Sequence, residues 1–463
     1  MNSIRLDYTN TLADVIGPER GLALSDLEAM ADASRSALSR VQARRGEDLR
    51  WLDLPHERGY LNDIRAYAES VQGRFENICV LGIGGSALGN IALHSALDAN
   101  YHDLFPAPGK PRLFVLDNID PEWIAEFLEK VDPSKTLFNV ISKSGGTAET
   151  MSQFLIVREK LEQTLGSAAV KDHLVVTTDA EKGVLREICD REGYTTFPVP
   201  DGVGGRFSVL SPVGLLPACL IGIDGAALLD GAATMDTRCR EESFFENPAQ
   251  VYAALQTGFD RERKMPIAVT LSYSHRLRNF ADWYAQLLAE SIGKRTSTEG
   301  QDVFVGPTPV RAVGVTDQHS QVQLYVEGPF DKWFTFLAVD EASDPVQIPR
   351  AFEDLEGAAY LGGRTLQELF VAEREGTRIA LTESGRPNCS IHFPRVDAHT
   401  VGQYIALMEV SVALMGEHYG INAFDQPGVE AGKVAAYALM GRAGYEARRK
   451  EIEQAGQRDA RTV

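Results

Sequence analysis

Short apolar runs, each followed by a stretch of helical periodicity, alternate through the first half of the chain. Parallel strands need a crossover connection, and a helix is its usual form. Four pairs of a run and a helical stretch occur in order: 77–83 with 86–97, 112–116 with a helix from about 121, 136–141 with 147–161, and 173–177 with 180–191. The alternation therefore predicts a parallel sheet that helices cover on both faces.

The same alternation returns in the second half. The run 266–271 precedes a helical stretch at 276–292, and 333–339 and 378–382 have the composition of further strands. Because 463 residues exceed what one hydrophobic core usually serves, we predict two domains. The predicted fold class is α/β, with two doubly wound parallel-sheet domains and helical N- and C-terminal extensions. The predicted boundaries are an N-terminal helical arm at 1–60, a first α/β domain at 61–235, a second at 236–425, and a C-terminal helix and tail at 426–463.

The terminal extensions are predicted from amphipathic stretches. Two of them, 24–42 and 59–71, precede the first apolar run, and two more, 398–417 and 427–439, follow the last one. The final twenty residues are highly charged, which is typical of a solvated helix or a frayed end.

The charge balance limits the classes of partner. The chain carries 65 acidic and 46 basic residues, a formal charge of -19, which repels nucleic acid and anionic lipid. The most apolar stretch, 213–229, contains Pro217 and Asp224 and is short for a membrane span. The first ten residues lack the apolar core of a signal peptide. We therefore expect a cytoplasmic protein that binds neither nucleic acid nor membrane.

The cysteines and potential metal ligands are scattered. Five cysteines are an odd number, and no two of them form a C-x-x-C pair, so neither a disulfide framework nor a structural zinc site is indicated. No cluster of His, Cys and carboxylate residues has metal-ligand spacing. We therefore expect no metal site.

A glycine-rich loop follows the first predicted strand. Residues 82–87 read Gly-Ile-Gly-Gly-Ser-Ala and lead into a helix, whose free N–H groups and positive dipole attract an anion. The loop also satisfies the dinucleotide pattern G-x-G-x-x-A. Taken alone, it fits equally a nucleotide site, a sugar-phosphate site or a tight strand-to-helix turn.

A second loop at the corresponding point of a later unit favours one compact phosphate. Residues 142–147 read Ser-Lys-Ser-Gly-Gly-Thr, with three hydroxyls, one ammonium group and two glycines. An N-cap would explain one hydroxyl but not three. No acidic residue stands at the distance after Ala87 that a nicotinamide site requires. Lys143 is expected to contribute its backbone N–H to the anion rather than its charge.

The helix predicted at 276–292 carries the first acid–base candidate. Gln286 and Glu290 are four residues apart and so share a face. The apolar neighbours of Glu290 predict a desolvated carboxylate with a raised pKa, as a general base needs. An alternative, favoured by spacing alone, is that Glu290 only pairs at the helix end, for instance with Lys294.

Four further polar residues stand in loops or at helix starts. His319 lies in a polar turn before a predicted helix, and Arg206 lies in the glycine-rich segment Gly-Gly-Arg-Phe-Ser. Gln426 and Lys433 are seven residues apart, and hence on one face of the helix predicted at 427–439. Three of them have an ordinary alternative: His319 as a capping or surface histidine, Arg206 in an inter-domain ion pair, and Lys433 as a solvated lysine.

These pieces join into one pattern, because the chain resembles the glucose-6-phosphate isomerase (phosphoglucose isomerase) family over nearly its whole length. The segments resembling the two family signatures, GGRFS and FDQPGVEAGK, are specific, whereas the glycine loop is not. The matching segments, in family order, are LGIGGSALG (81–89), ISKSGGTAET (141–150), VVTTD (175–179), DGVGGRFSVLSPVG (201–214), WYAQLLAESIGK (283–294), TDQHSQVQLYVEGP (316–329) and FDQPGVEAGK (424–433).

The resemblance implies catalytic roles. Glu290 would be the base that moves a proton between C2 and C1 of glucose 6-phosphate and fructose 6-phosphate through a cis-enediol. Arg206 would stabilise the negative charge of that intermediate. His319 and Lys433 would open the sugar ring by proton transfer at the ring oxygen and O1. The fold implied is two sugar-isomerase (SIS) domains, and the reaction would serve glycolysis and gluconeogenesis.

The resemblance also implies binding residues and an assembly. Gln286 and Gln426 would orient sugar hydroxyls. Family members are usually homodimers in which His319 would come from the partner subunit, and the resemblance implies that no metal or cofactor is needed. The phosphate would be bound by Ser86, Ser142, Ser144 and Thr147, with backbone N–H groups near Gly85 and Lys143.

One departure from the family pattern lies in the second loop. The family usually reads S-K-S/T-x-T-T there, and Gly146 replaces the first of those threonines. Thr150 also stands where bacterial members often have proline. Phosphate affinity or sugar preference could therefore differ, including a side reaction on mannose 6-phosphate.

Two alternatives from other classes are weaker. A non-catalytic sugar-phosphate sensor would keep the serine loops but would not need the acid–base residues named above. An NAD-dependent oxidoreductase would be supported by the first glycine loop alone.

Overall fold

The computed structural model describes residues 3–341 and 346–455, and these contain two five-stranded sheets. The strands are β1 (Arg5–Asp7), β2 (Asn77–Leu81), β3 (Arg112–Leu116), β4 (Thr136–Ser142), β5 (Leu174–Thr178), β6 (Thr195–Pro198), β7 (Ile267–Tyr273), β8 (Lys294–Thr296), β9 (Asp302–Val305), β10 (Thr308–Val313), β11 (Lys332–Val339) and β12 (Asn388–Phe393). Sheet I has the strand order β3-β2-β4-β5-β6 and is parallel throughout. Sheet II has the order β1-β12-β11-β7-β10 and is parallel except for the edge strand β1.

The central strands form because they are buried on both faces. Every residue of β2, β4 and β5 is buried, and the same holds for β11 except its last residue. Such strands read as continuous apolar runs in the sequence. The two parallel sheets confirm the predicted α/β fold class, whereas the domain boundaries stay a prediction.

Helices occupy most of the remaining chain, and their starts are set by local chemistry. The Asp120 carboxylate, which directly precedes Pro121, accepts hydrogen bonds from two backbone N–H groups of the first turn. Asp224 caps the helix that follows it in the same way. The helices are α1 (Ala13–Ile16), α2 (Leu24–Ala43), α3 (Gly59–Val71), α4 (Leu88–Leu97), α5 (Pro121–Lys130), α6 (Ala148–Leu165), α7 (Val184–Glu192), α8 (Pro212–Leu220), α9 (Gly225–Cys239), α10 (Pro248–Arg261), α11 (Arg278–Ile292), α12 (Val322–Glu327), α13 (Glu356–Ala359), α14 (Leu366–Glu383), α15 (Ala398–Tyr419), α16 (Glu430–Leu439) and α17 (Glu446–Ala455).

The strand predicted at 378–382 is wrong, because this run is the end of α14. The Thr365 hydroxyl accepts the Glu368 N–H, and the Glu368 carboxylate accepts the Thr365 N–H. This reciprocal pair of bonds fixes the start of a helix, and a short apolar run within it resembles a strand. The strand of this region is β12, which begins at Asn388.

The long helix α15 is buried along nearly its whole length and packs against α9. The two helices approach so closely that a Cβ on Gly231 would lie 1.8 Å from the His399 carbonyl oxygen, and one on Gly402 would lie 1.9 Å from that of Leu228. The apolar stretch 213–229 is divided between α8 and α9. Within residues 3–341 and 346–455, no helix is long and apolar enough to cross a membrane.

A histidine near the end of α15 makes the fold sensitive to acid. Burial and the neighbouring Arg261 and Arg40 lower the pKa of His418 from 6.5 to about 4. Its Nε2 lies 3.1 Å from the Ser34 hydroxyl. Between pH 6.5 and 4 the unfolded chain binds a proton that the folded chain does not, so the free energy of unfolding falls as the pH falls.

We expect His418→Gln to remove this contribution. At pH 5 the histidine should cost the wild-type protein about 2 kcal/mol relative to pH 7, and the variant should be spared that loss. Urea unfolding of both proteins at pH 7 and pH 5 measures the difference. An equal drop in both proteins would show that other groups cause the acid sensitivity.

Candidate active site

Loops from both halves of the chain meet beyond the carboxyl ends of sheet I. The glycine loop after β2 lies against the segment that contains Arg206, since a Cβ on Gly85 would lie 2.3 Å from the Gly205 carbonyl. Gly84 has φ +57°, and a Cβ there would lie 3.1 Å from the Gln286 amide nitrogen on α11. Only glycine permits both the turn and the close approach. The loop therefore touches Arg206 and Gln286 directly.

Arg206 is the centre of the site and is 3% exposed. Its Nε donates to the Ser291 hydroxyl at 2.7 Å, and one terminal nitrogen donates to the Gln426 side-chain oxygen at 3.0 Å. The other terminal nitrogen donates to the backbone carbonyls of Ala423 and Asp425 at 2.6 and 3.1 Å. Burial lowers the pKa of Arg206, although nearby carboxylates oppose the shift. The planar guanidinium thus joins α11 to the loop before α16.

Glu290 lies beside this guanidinium. Its Oε1 is 3.1 Å from the Arg206 nitrogen, and its Oε2 accepts a hydrogen bond from the Gln286 amide at 3.0 Å. The side chain is 27% exposed, so the carboxylate is accessible to a ligand from one side. We call Arg206, Gln286, Glu290, Ser291 and Gln426 the Arg206–Glu290 cluster.

The environment of Glu290 differs from the apolar face that the sequence suggested. Its neighbours Leu287, Leu288 and Ile292 are buried, while the carboxylate contacts Arg206 and Gln286. The ion pair considered with Lys294 does not form either, because that ammonium donates to the backbone carbonyl of Glu290. Both expectations are corrected: the carboxylate is held by a guanidinium and an amide.

The second loop brings its hydroxyls together at the start of α6. The Thr147 hydroxyl lies 3.1 Å from that of Ser142 and 3.3 Å from that of Ser144. Lys143 turns its ammonium away, to the Val203 carbonyl at 2.8 Å. The hydroxyls and the helix start therefore remain to attract an anion.

The two loops lie side by side because their strands are neighbours. Leu81 of β2 is paired with Val140 of β4 in parallel register, so the chain leaves sheet I at the same edge after both strands. Ligands of open α/β sheets bind beyond this edge. A phosphate at the second loop would place the rest of a small sugar toward the first loop and the Arg206–Glu290 cluster.

Two predicted site residues are not brought to the cluster. His319 is exposed, and in the part of the chain that the structure describes no hydrogen bond or ion pair joins its side chain to the cluster. Lys433, on α16, donates to Glu430 at 2.9 Å and its side chain is 50% exposed. Gln426, by contrast, contacts Arg206.

The structure adds site residues that the sequence analysis did not assign. Ser291 binds Arg206, and Lys294 and Asp425 flank the cluster at 3.8 Å from each other. In the sequence, these residues are indicated by their proximity to Glu290 and Gln426. Among residues 3–341 and 346–455, no group of three or more His, Cys, Asp or Glu could hold a metal ion.

Comparisons with known proteins agree over nearly the whole chain. The family model described as phosphoglucose isomerase matches residues 57–455. A glucose-6-phosphate isomerase of Carboxydothermus hydrogenoformans is 46% identical over 454 residues, which are 97% of this chain and 97% of the relative. One of Rubrobacter xylanophilus is 44% identical over 451 residues, 96% of this chain and 100% of the relative.

A solved structure extends the likeness to three dimensions. A hypothetical protein of Thermus thermophilus superposes with a TM-score of 0.84 and 39% identity, and the match covers 95% of this chain and 100% of that one. The likeness therefore spans both sheets and the C-terminal helices rather than one domain.

Proposed function

The chain belongs to the phosphoglucose isomerase family, and we infer from this membership that it interconverts glucose 6-phosphate and fructose 6-phosphate. The reaction opens the sugar ring and then moves a proton between C2 and C1 through a cis-enediol. It needs a phosphate site, a base near C1 and C2, and a group that stabilises charge on their oxygens. It serves glycolysis and gluconeogenesis.

We propose Glu290 as the base and Arg206 as the charge-stabilising group, and their 3.1 Å contact is the observation that carries this assignment. Arg206 and Gln286 hold the two carboxylate oxygens, so the base has one orientation. A guanidinium this close to the base would stabilise charge that develops on an adjacent enediolate oxygen. Gln286 and Gln426 would hydrogen-bond the sugar hydroxyls.

The phosphate is proposed to bind at the second loop. Ser142, Ser144 and Thr147 would donate their hydroxyls, and Ser86 and the N–H groups near Gly85 and Lys143 would complete the site. The bond from the Lys143 ammonium to Val203 supports the view that this residue contributes its backbone rather than its charge. Hydroxyls and N–H groups at a helix start are sufficient for an anion.

We propose that His319 and Lys433 open the sugar ring, and that His319 reaches the site from the second copy of the chain in a homodimer. The position of His319 supports its contribution across an interface: it is exposed, and within the described residues of one chain its side chain makes no bond to the cluster. Because the sugar phosphates of glycolysis occur in the cytoplasm, we propose that location.

The decisive experiment measures the chemistry and the sugar together. Incubation in D₂O with glucose 6-phosphate should exchange the C2 proton and form fructose 6-phosphate, which a coupled assay detects. Mannose 6-phosphate in a parallel reaction shows whether the epimer is a side substrate. Phosphate binding without exchange would favour a non-catalytic sugar-phosphate sensor, and reduction of NAD by the sugar would favour an oxidoreductase.

Gly146 offers a test of the phosphate loop. A Cβ at this position would lie 4.0 Å from the Ser144 carbonyl oxygen, so a Cβ is accommodated without a clash. Gly146→Thr is expected to lower KM for glucose 6-phosphate about two- to tenfold, because it adds one hydroxyl to the anion site. The effect on kcat should be small.

The matched control is Gly146→Val, which has the shape of threonine without the hydroxyl. It should leave KM unchanged or raise it. Steady-state kinetics of the three proteins separates the outcomes, and equal KM values for the threonine and valine variants would contradict a phosphate at this loop.

A further inference from the structure

A buried ammonium lies directly behind the Arg206–Glu290 cluster. Lys294 is the first residue of β8, two positions after the end of α11, and it is 7% exposed. Its Nζ donates to the backbone carbonyls of Glu290 at 2.7 Å and of Ser291 at 2.8 Å. Its third neighbour is the Asp425 carboxylate at 3.8 Å.

These contacts stabilise the end of the helix that carries the proposed base. The last carbonyls of an α-helix have no partner within the helix, and a cation there is favoured by the helix dipole. An ordinary helix end needs only an exposed lysine or a glycine for this. Here the ammonium is removed from water, which costs free energy. Because capping does not require burial, the buried position of Lys294 indicates a role beyond capping.

Lys294 and Arg206 each join the same two segments. Arg206 donates to the Ser291 hydroxyl and the Asp425 carbonyl, while Lys294 donates to the Ser291 carbonyl and faces the Asp425 carboxylate. Glu290 is held between them, by its carboxylate on one side and its carbonyl on the other. A shift of either segment would therefore move the base relative to the guanidinium.

We propose that Lys294 is a positioning residue for the isomerisation, which connects the last turn of α11 to the loop at 422–426 and thereby fixes Glu290 against Arg206 and Gln426. The inference rests on the proposed function, because it concerns the geometry of the proposed base. Lys294 acts through the backbone, because its hydrogen bonds go to the carbonyls of Glu290 and Ser291. Displacement of a catalytic group by about 1 Å costs about 10²-fold in rate.

The charge of Lys294 adds a pH dependence. Burial and, to a smaller degree, the neighbouring Arg206 lower the pKa of its ammonium to about 8, whereas Asp425 and Glu290 oppose the shift. These three charged groups face Lys294 from the Gly205–Phe207 turn, the 422–426 loop and α11. Above about pH 8 the neutral amine loses its attraction to both carboxylates, so kcat should fall with an apparent pKa near 8.

The chain provides a matched control in Lys332. This lysine is also the first residue of a strand, β11, and is 4% exposed. Its ammonium likewise donates to a backbone carbonyl, that of Pro329, and to a carboxylate, that of Asp331. None of its partners belongs to the Arg206–Glu290 cluster, so Lys332→Met reproduces the loss of a buried ammonium without touching the site.

The experiment compares the full-length wild-type protein with K294M, K294R and K332M. We expect K294M to lower kcat about 10- to 100-fold with KM changed less than about threefold, and K332M to leave kcat within about twofold. K294R should recover most of the turnover and lose the decline near pH 8, because arginine stays protonated. A K294M kcat within about twofold of wild type, or a decline near pH 8 that persists in K294R, would overturn the proposal.

Hydrogen exchange gives a readout that does not depend on turnover. K294M should speed amide exchange in both 288–294 and 420–426, while K332M should leave both segments as in the wild type. Unchanged exchange in K294M would refute the connection between the segments. If K294M speeds exchange in both segments but the wild-type protein does not isomerise glucose 6-phosphate, the proposed function alone is refuted.

Discussion

Glu290→Gln is expected to lower the turnover of glucose 6-phosphate by about 10³-fold, because a glutamine amide cannot take up the C2 proton. The variant should keep the fold of the site. The new side-chain carbonyl can still accept from Arg206, and Gln286 can turn its own amide to accept from the new NH₂ group. The loss should therefore appear in kcat and in C2 proton exchange.

Binding of the sugar phosphate should survive this substitution. Among the described residues, the side chains of the second loop (142–147) form no hydrogen bond to Glu290. A calorimetric titration with a phosphorylated aldonic acid should therefore give a nearly unchanged Kd. Glu290→Asp is the chemical control, because it keeps a carboxylate but withdraws it by one methylene. It should retain more activity than the glutamine variant, and near-wild-type turnover of Glu290→Gln would refute the base assignment.

The parts of the fold that could be predicted are those whose burial is local and continuous. The strands β2, β4 and β11 are buried almost throughout and were recognisable as apolar runs. The edge strands β6 and β10 were not recognised, because both are largely half-buried or exposed and mix polar with apolar residues. Pro309 within β10 further obscured the pattern, although an edge strand tolerates proline.

Pairings between distant parts of the chain could not be predicted either. β1 at Arg5–Asp7 pairs antiparallel with β12, at the other end of the chain. Nothing in three residues indicates such a partner. The strand predicted at 378–382 was wrong because its apolar residues fit a strand when they are read alone. The capping residues that fix the start of α14 lie well before this run in the sequence.

The same division holds for the candidate site. The residue types and their order were readable, and so was the shared face of Gln286 and Glu290. The partners of Arg206 were not, because Ser291 and Gln426 lie 85 and 220 positions away and are brought to it by packing. Lys294 was considered only as a partner of the Glu290 carboxylate, and its bonds to backbone carbonyls depend on how α11 ends.

Arg206→Ala is expected to lower kcat by about 10²- to 10³-fold, as loss of a charge-stabilising donor does. KM should rise less than kcat falls, because the guanidinium is proposed to meet charge that exists only in the intermediate. Arg206→Lys should fall between the alanine variant and wild type. It keeps a positive charge, but an ammonium cannot reproduce the planar set of bonds to Ser291, Gln426 and two carbonyls.

The substitution also removes structural bonds, so a control for that loss is required. Arg386 is 1% exposed and its guanidinium donates to the carbonyls of Val326, Gly328 and Pro329, away from the cluster. Arg386→Ala should therefore lower the Tm while leaving kcat per folded molecule nearly unchanged. Arg206→Ala should lower both the Tm and kcat. Because Glu290 would lose the cation beside it, kcat should fall far more than the loss of folded protein explains. If the alanine variant raised KM at constant kcat, Arg206 would bind the substrate uniformly and would not stabilise the enediolate.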